Sequence, residues 1–337
     1  MLFGIVLFAY ELQYLVHERK TKGIIKKLFY PFLVMVPGLL LSVLFFIANS
    51  SYTHEAAKFL PKENLVQTIL DLNPIITLNY DKEILFAHII LYAQCILVLL
   101  VTIDFFRKRK EPRQFRPQWI ISALIVLLLF FVFPDWIASG GFISIRWALY
   151  FFLVMMIVIA ARGLPVNQLL IPVSVILLTH LFFMNYHNKE TETLSKDAET
   201  LVDAEKYMED DKVLLPLSYS TNWMHINYSN YLSTKKNVIV LDNYEPTKPH
   251  FPLIWKKGEE VYELMPGYGR RFPPCIAIEA YERKTKHRID YLSRFCYEGA
   301  SEDSCTIAAE QEIAQRFELI YQSENKKLQL YKRKPGT

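Results

Sequence analysis

The chain has 337 residues, with 38 Lys and Arg against 34 Asp and Glu for a net charge of +4. It is 52% hydrophobic with a mean hydropathy of +0.15, more apolar than a soluble protein of this length. That composition points away from a wholly water-soluble fold. The average also hides a division near residue 187, with long apolar runs before it and mixed, polar sequence after it. The expected architecture is a polytopic α-helical membrane bundle of about six spans (1–186) followed by a small extracytoplasmic α/β domain (187–337).

Six apolar runs are expected to span, near 1–16, 28–49, 84–106, 118–134, 147–161 and 167–186. A bilayer core needs about 20 helical residues, with about 17 as a minimum. The second, third and sixth runs meet this. The fourth and fifth are short and extend toward the segment between them. The first begins at Met1 and shows neither a basic leader nor a small-residue cleavage site, so it reads as a helix.

Lys and Arg in short loops set the orientation. Arg19, Lys20, Lys22, Lys26 and Lys27 fill one loop, and Arg107, Lys108, Arg109, Lys110, Arg113 and Arg116 fill another. Both belong on the cytoplasmic side. Residues 50–83, 135–146 and everything after 187 then lie outside. Because these basic runs flank spans, they are topology signals, and no nucleic-acid partner is expected. The N-terminus falls outside with no helix before it, so the chain is expected to be the later part of a longer membrane protein. A native outside N-terminus is the alternative.

In the loop 50–83, Leu65, Ile69, Leu70 and Leu72 are spaced for a short amphipathic helix, either on the membrane surface or capping the bundle. Residues 187–211 carry Leu194, Ala198, Leu201, Ala204 and Met208 on one helical face, predicting a helix that joins the soluble domain. KVLLPLSY, VIVL, CIAIEAY and HRIDYLSRF read as strands, TNWMHINYSNYLS as a loop or short helix, and SEDSCTIAAEQEIAQRF as a helix. FELIYQSENKKLQLYKR alternates about a polar turn and predicts a terminal hairpin.

The motifs of soluble catalysis are missing: no GxSxG, P-loop, GxGxxG or HExxH occurs. MPGYGRR, at 265–271, reads as a loop rather than a phosphate cradle. Cys95 reads as packing. Cys296 and Cys305 are close enough in sequence to pair, but with Cys275 they make an odd set that fixes no framework. No zinc spacing and no cofactor signature is evident, and a divalent metal is left open.

Ionisable groups near spans mark candidate sites because charge in lipid is costly. Glu11 and Asp104 read as interfacial, Asp104 pairing with Arg107 or Lys108. His88 and His180 read as hydrogen-bonded packing residues, with a metal site as the sharper alternative. The best candidate is FPDWIASGGFISIRW, between the fourth and fifth spans. Gly140 and Gly141 permit left-handed backbone and close approach to N–H groups, Arg146 grips phosphate bidentately, and Asp135 adds an acid. The bland reading is a tight turn, with Arg146 snorkelling and Trp136 and Trp147 as interface anchors.

GGFIxxR, LDNYEPTKPHFPLIW and FELIYQSENKKLQLYKR resemble the late outer loop and outer domain of bacterial GT-C glycosyltransferase-like membrane proteins, akin to protein mannosyltransferases and the lipid A aminoarabinose transferase. The resemblance implies transfer of a sugar from a polyprenyl-phosphate donor at the outer face of the bacterial inner membrane. Arg146 would hold the carrier phosphate, the glycine pair would shape the loop, and the outer domain would position an acceptor. The family's acidic first outer loop has no counterpart here, so Asp135 does not inherit the catalytic role. The competing expectation is a non-enzymatic membrane-anchored envelope protein whose outer domain binds a partner or polysaccharide.

Overall fold

The computed structural model describes residues 57–107, 117–137, 141–243, 274–299 and 303–336, with scattered positions between 29 and 47 and between 255 and 265. The first predicted span, the basic loops at 17–27 and 108–116, Gly140, and most of the EPTKPHFPLIW and MPGYGRR stretches lie outside the described residues. The chain divides into two units, Met1–His187 and Asn188–Thr337.

The first unit is helical. Helix α1 (Lys62–Leu70) is followed by a 3-10 turn and then by α2 (Tyr80–Arg107), α3 (Pro117–Val132), α4 (Ile143–Arg162) and α5 (Val166–Ala204), which continues into the second unit. In the second span, every described position is helical.

Three helices among the described residues, α2, α4 and the α5 segment, are long and apolar enough to cross a membrane. At about 1.5 Å per residue, the 20 residues of α4 cover about 30 Å. The expectation of six spans is therefore met only in part. Helix α3 is intensely apolar but has 16 residues, short of the usual minimum. Large apolar side chains stay exposed along the helices, including Leu85, Leu128 and Phe182 at 64%, 62% and 67%. Such a continuous apolar exterior is unlike a water-facing surface.

Helix α1 packs as a cap on the bundle. Its Leu65 is buried against Val126 and Phe130 of α3 and Trp147 and Ala148 of α4. Asp104 near the end of α2 forms an ion pair with Arg162 of α4 at 2.7 Å; Lys108 lies outside the described residues.

The second unit is a five-stranded sheet ordered β2-β1-β3-β5-β4: β1 (Lys212–Ser218), β2 (Val238–Val240), β3 (Tyr291–Phe295), β4 (Phe317–Gln322) and β5 (Leu328–Arg333). Strand β1 runs parallel to both β2 and β3, while β5 pairs antiparallel with β3 and β4. The VLLPL core of β1 is buried throughout because both faces of the sheet are covered. Leu214, Tyr291 and Phe295 pack with Leu201 and Ala204 of α5 on one face. Leu215, Leu217 and Leu292 pack on the other face with α6 (Ile278–Thr285) and α7 (Ser304–Arg316). Pro216 falls where β2 no longer pairs with β1, so its missing N–H costs the sheet little.

The strand expected at CIAIEAY is not formed. Its second half opens α6, with Ile278, Tyr281 and Thr285 on the buried face at helical spacing. The expected helix near 304–316 forms, with Asp303 accepting hydrogen bonds from Cys305 N and Thr306 N as its cap. The pairing that the sequence leaves open is resolved as Cys275–Cys305 rather than Cys296–Cys305. Cys296 packs against the α5-covered face, whereas Cys305 opens α7 on the opposite one.

Candidate functional site

The segment between α3 and α4 is held by short backbone contacts. Lys58 donates to the Trp136 carbonyl at 3.0 Å and accepts from Asp135 N and Trp136 N at 2.9 and 3.1 Å. The Asp135 carbonyl and carboxylate then receive Ile143 N at 3.2 Å and Ser144 N at 3.0 Å. Asp135 thus satisfies two of the N–H groups that open α4.

Gly141 has a local packing role. Gly141 is not in the left-handed region; Phe142 occupies it instead, at φ 61°. Gly141 is needed for space, since a Cβ there would sit 2.2 Å from the Trp136 ring. Gly140 lies outside the described residues.

Arg146 was expected in the loop but stands in the first turn of α4, which starts four residues before the predicted fifth span. It is exposed, and its side chain has no ion-pair or hydrogen-bond partner among the described residues. Positive helix ends favour anions, so the guanidinium and the helix terminus reinforce one another. Trp136 Nε1 is buried without a hydrogen bond, and the Lys58 ammonium lies 5.9 Å from the Trp136 ring.

A second polar group at this unit escaped sequence reasoning. Asp71, 2% exposed, accepts from Gln67 Nε2 at 2.7 Å and from the Tyr80 hydroxyl, and lies 3.1 Å from His88 Nε2. Burial pushes the Asp71 carboxyl up, but hydrogen bonds from Tyr80, Gln67 and His88 outweigh it and hold it below its ordinary value. Fully buried Glu83 accepts from the backbone N–H groups of Thr77, Leu78 and Asn79 at 2.6–2.8 Å and faces His187 at 3.5 Å. No group of three or more metal-ligating side chains occurs among the described residues.

The same unit holds a cavity of about 340 Å³, lined mainly by apolar side chains that include Ile90, Leu149, Leu153 and Met156, with Gln94, His180 and His187 as polar exceptions. His180 thus faces this cavity rather than His88. Arg146, Leu149, Leu153 and Met156 follow helical spacing and fall on one stripe of α4.

Comparison of the chain with protein-family models, with curated proteins and with solved structures finds no match in any of the three.

Proposed function

We propose that this chain is the C-terminal part of a membrane glycosyltransferase that takes a polyprenyl-phosphate-linked sugar donor at the extracytoplasmic face. The observation that carries the reading is the stripe of α4 joining Arg146 to the cavity-lining Leu149, Leu153 and Met156. A guanidinium without a partner among the described residues, one turn above an apolar cavity, suits an amphiphile with an anionic head and a hydrocarbon tail. The guanidinium would hold the phosphate, and the cavity the first isoprene units. Three helices of spanning length support a membrane setting. The Cys275–Cys305 disulfide supports an oxidising compartment for the second unit, matching the side assigned from the basic loops.

The test is binding of polyprenyl phosphate to the purified chain in detergent, followed by native mass spectrometry, together with sugar transfer by the full-length protein. Loss of a charge-assisted contact worth about 1.5–3 kcal/mol predicts that Arg146→Ala weakens donor binding about 10- to 100-fold. Unchanged donor affinity and transfer in Arg146→Ala would overturn the reading.

A further inference from the structure

The order β2-β1-β3 has a chemical consequence in the second unit. The segment joining β1 to β2 packs Tyr228 and Leu232 on the α5-covered face, while the segment joining β2 to β3 packs Val261, Ile278 and Tyr281 on the other. The connections therefore diverge to opposite faces between β1 and β3. In parallel sheets the crevice at the carboxyl ends of such strands is where ligands bind. Here those ends are joined by Tyr219 N donating to the Phe295 carbonyl at 2.8 Å.

Three chemically matched side chains meet at this edge. Ser220, two residues beyond β1, has its Oγ 2.6 Å from His225 Nδ1. His225 Nε2 lies 3.3 Å from Asp197 Oδ2 of α5, within ion-pair range but outside hydrogen-bond geometry, so a small rotation of the ring must close the bond. Lys327 Nζ bonds both Asp197 oxygens, at 2.6 and 2.8 Å, and fixes the carboxylate. A carboxylate facing Nε2 selects the tautomer with its proton on Nε2. Nδ1 is then the acceptor, and the Ser220 hydroxyl donates to it. Asn222 N also donates to Ser220 Oγ at 3.1 Å, which holds the hydroxyl in place.

We propose that Ser220, His225 and Asp197 form a serine acyl-transfer site acting on esters with an apolar acyl group. Ser220 is the nucleophile, His225 the general base, and Asp197 the positioning residue. Burial pushes the imidazole of His225 below its ordinary pKa, against the opposing pull of Asp197, so it stands neutral and able to accept a proton near pH 7. The apolar preference follows from the rim: Trp223 and Ile226 flank His225 in sequence and are 58% and 62% exposed. Nδ1 takes the Ser220 proton as Oγ bonds to the ester carbonyl carbon. The carbon–oxygen bond to the alcohol breaks, and the imidazolium returns its proton to that oxygen. Water, deprotonated by the same nitrogen, then attacks the acyl-serine to release a carboxylic acid and restore the hydroxyl.

The test uses the purified full chain in detergent, with an alkyl fluorophosphonate as probe and p-nitrophenyl butyrate as substrate. Wild type is expected to acquire one phosphonyl adduct, located by peptide mapping at Ser220, and to hydrolyse the ester. Ser220→Ala loses both. His225→Gln slows adduct formation about 10²- to 10⁴-fold, the usual share of a general base. Asp197→Asn lowers kcat and leaves KM unchanged. Each variant is paired with a thermal melt, and Ser220→Thr supplies a second nucleophile variant should Ser220→Ala fail to fold. A folded wild type that takes no adduct, an adduct on another serine, or a folded His225→Gln that reacts at the wild-type rate would overturn the proposal.

Discussion

Trp136 lies directly over Gly141, so close that a Cβ at 141 would fall 2.2 Å from the indole. The pair explains why a glycine stands there without invoking a ligand. Gly141→Ala must push the indole or the loop aside, an overpacking cost of about 1–3 kcal/mol. In a Trp136→Ala background the same substitution should cost far less. A double-mutant cycle on thermal stability in detergent measures the difference, and equal costs in both backgrounds would remove the packing account.

Asp135 separates capping from ligand binding. Its carboxylate accepts from Ser144 N at 3.0 Å, a role that an amide oxygen performs nearly as well. Asp135→Asn is therefore expected to leave stability and donor binding near wild type, while Asp135→Ala loses about 1 kcal/mol. A large loss of binding in Asp135→Asn with stability intact would show that the charge itself is used.

The disulfide gives a prediction on covalent structure. Cys275 and Cys305 are 30 residues apart, and loop-closure entropy for that length corresponds to about 3.5 kcal/mol. Cys275→Ser should lower the melting temperature of the second unit, and non-reducing peptide maps of the wild type should join the Cys275 and Cys305 peptides. Burial raises the pKa of the Cys296 thiol, so its alkylation without denaturant should be slow. A Cys296–Cys305 peptide would contradict this arrangement.

Legibility in the sequence followed the range of the interactions. Strands β1, β2 and β3 and the closing hairpin were readable because their β-branched runs and alternation are local signals. The helix Ile278–Thr285 was misread because CIAI alternates like a strand, while the periodicity that decided the outcome begins at Ile278 and runs through Tyr281 to Thr285. The disulfide was not legible because three cysteines fix no framework, and the sheet places nearby Cys296 and Cys305 on opposite faces. Arg146 was legible as an isolated cation, but its alignment with the cavity required the true start of α4. Asp197 and His225 are 28 positions apart and Asp71 and His88 are 17 apart, so neither pairing leaves a spacing signal of its own.

Asp242 provides a pH test of the second unit. It follows β2 and accepts a hydrogen bond from Ser229 Oγ at 2.5 Å. The residue is half-buried, but its Oδ1 is shielded from solvent. Burial pushes the carboxyl up to about 6, against the opposing hydrogen bond from Ser229. In the unfolded chain an Asp releases its proton near 3.9. Between about pH 4 and pH 6 the folded state therefore keeps a proton that the unfolded state has lost. Stability contributed by this group falls as pH rises through that window and is level above it, by at most about 3 kcal/mol. Asp242→Asn keeps the hydrogen-bond acceptor and removes the titration. The variant should match the wild type near pH 4 and exceed it at pH 7.5 when unfolding of the second unit is followed by circular dichroism in detergent. A variant less stable than the wild type at pH 7.5 would show that the ionised carboxylate contributes more than its burial costs.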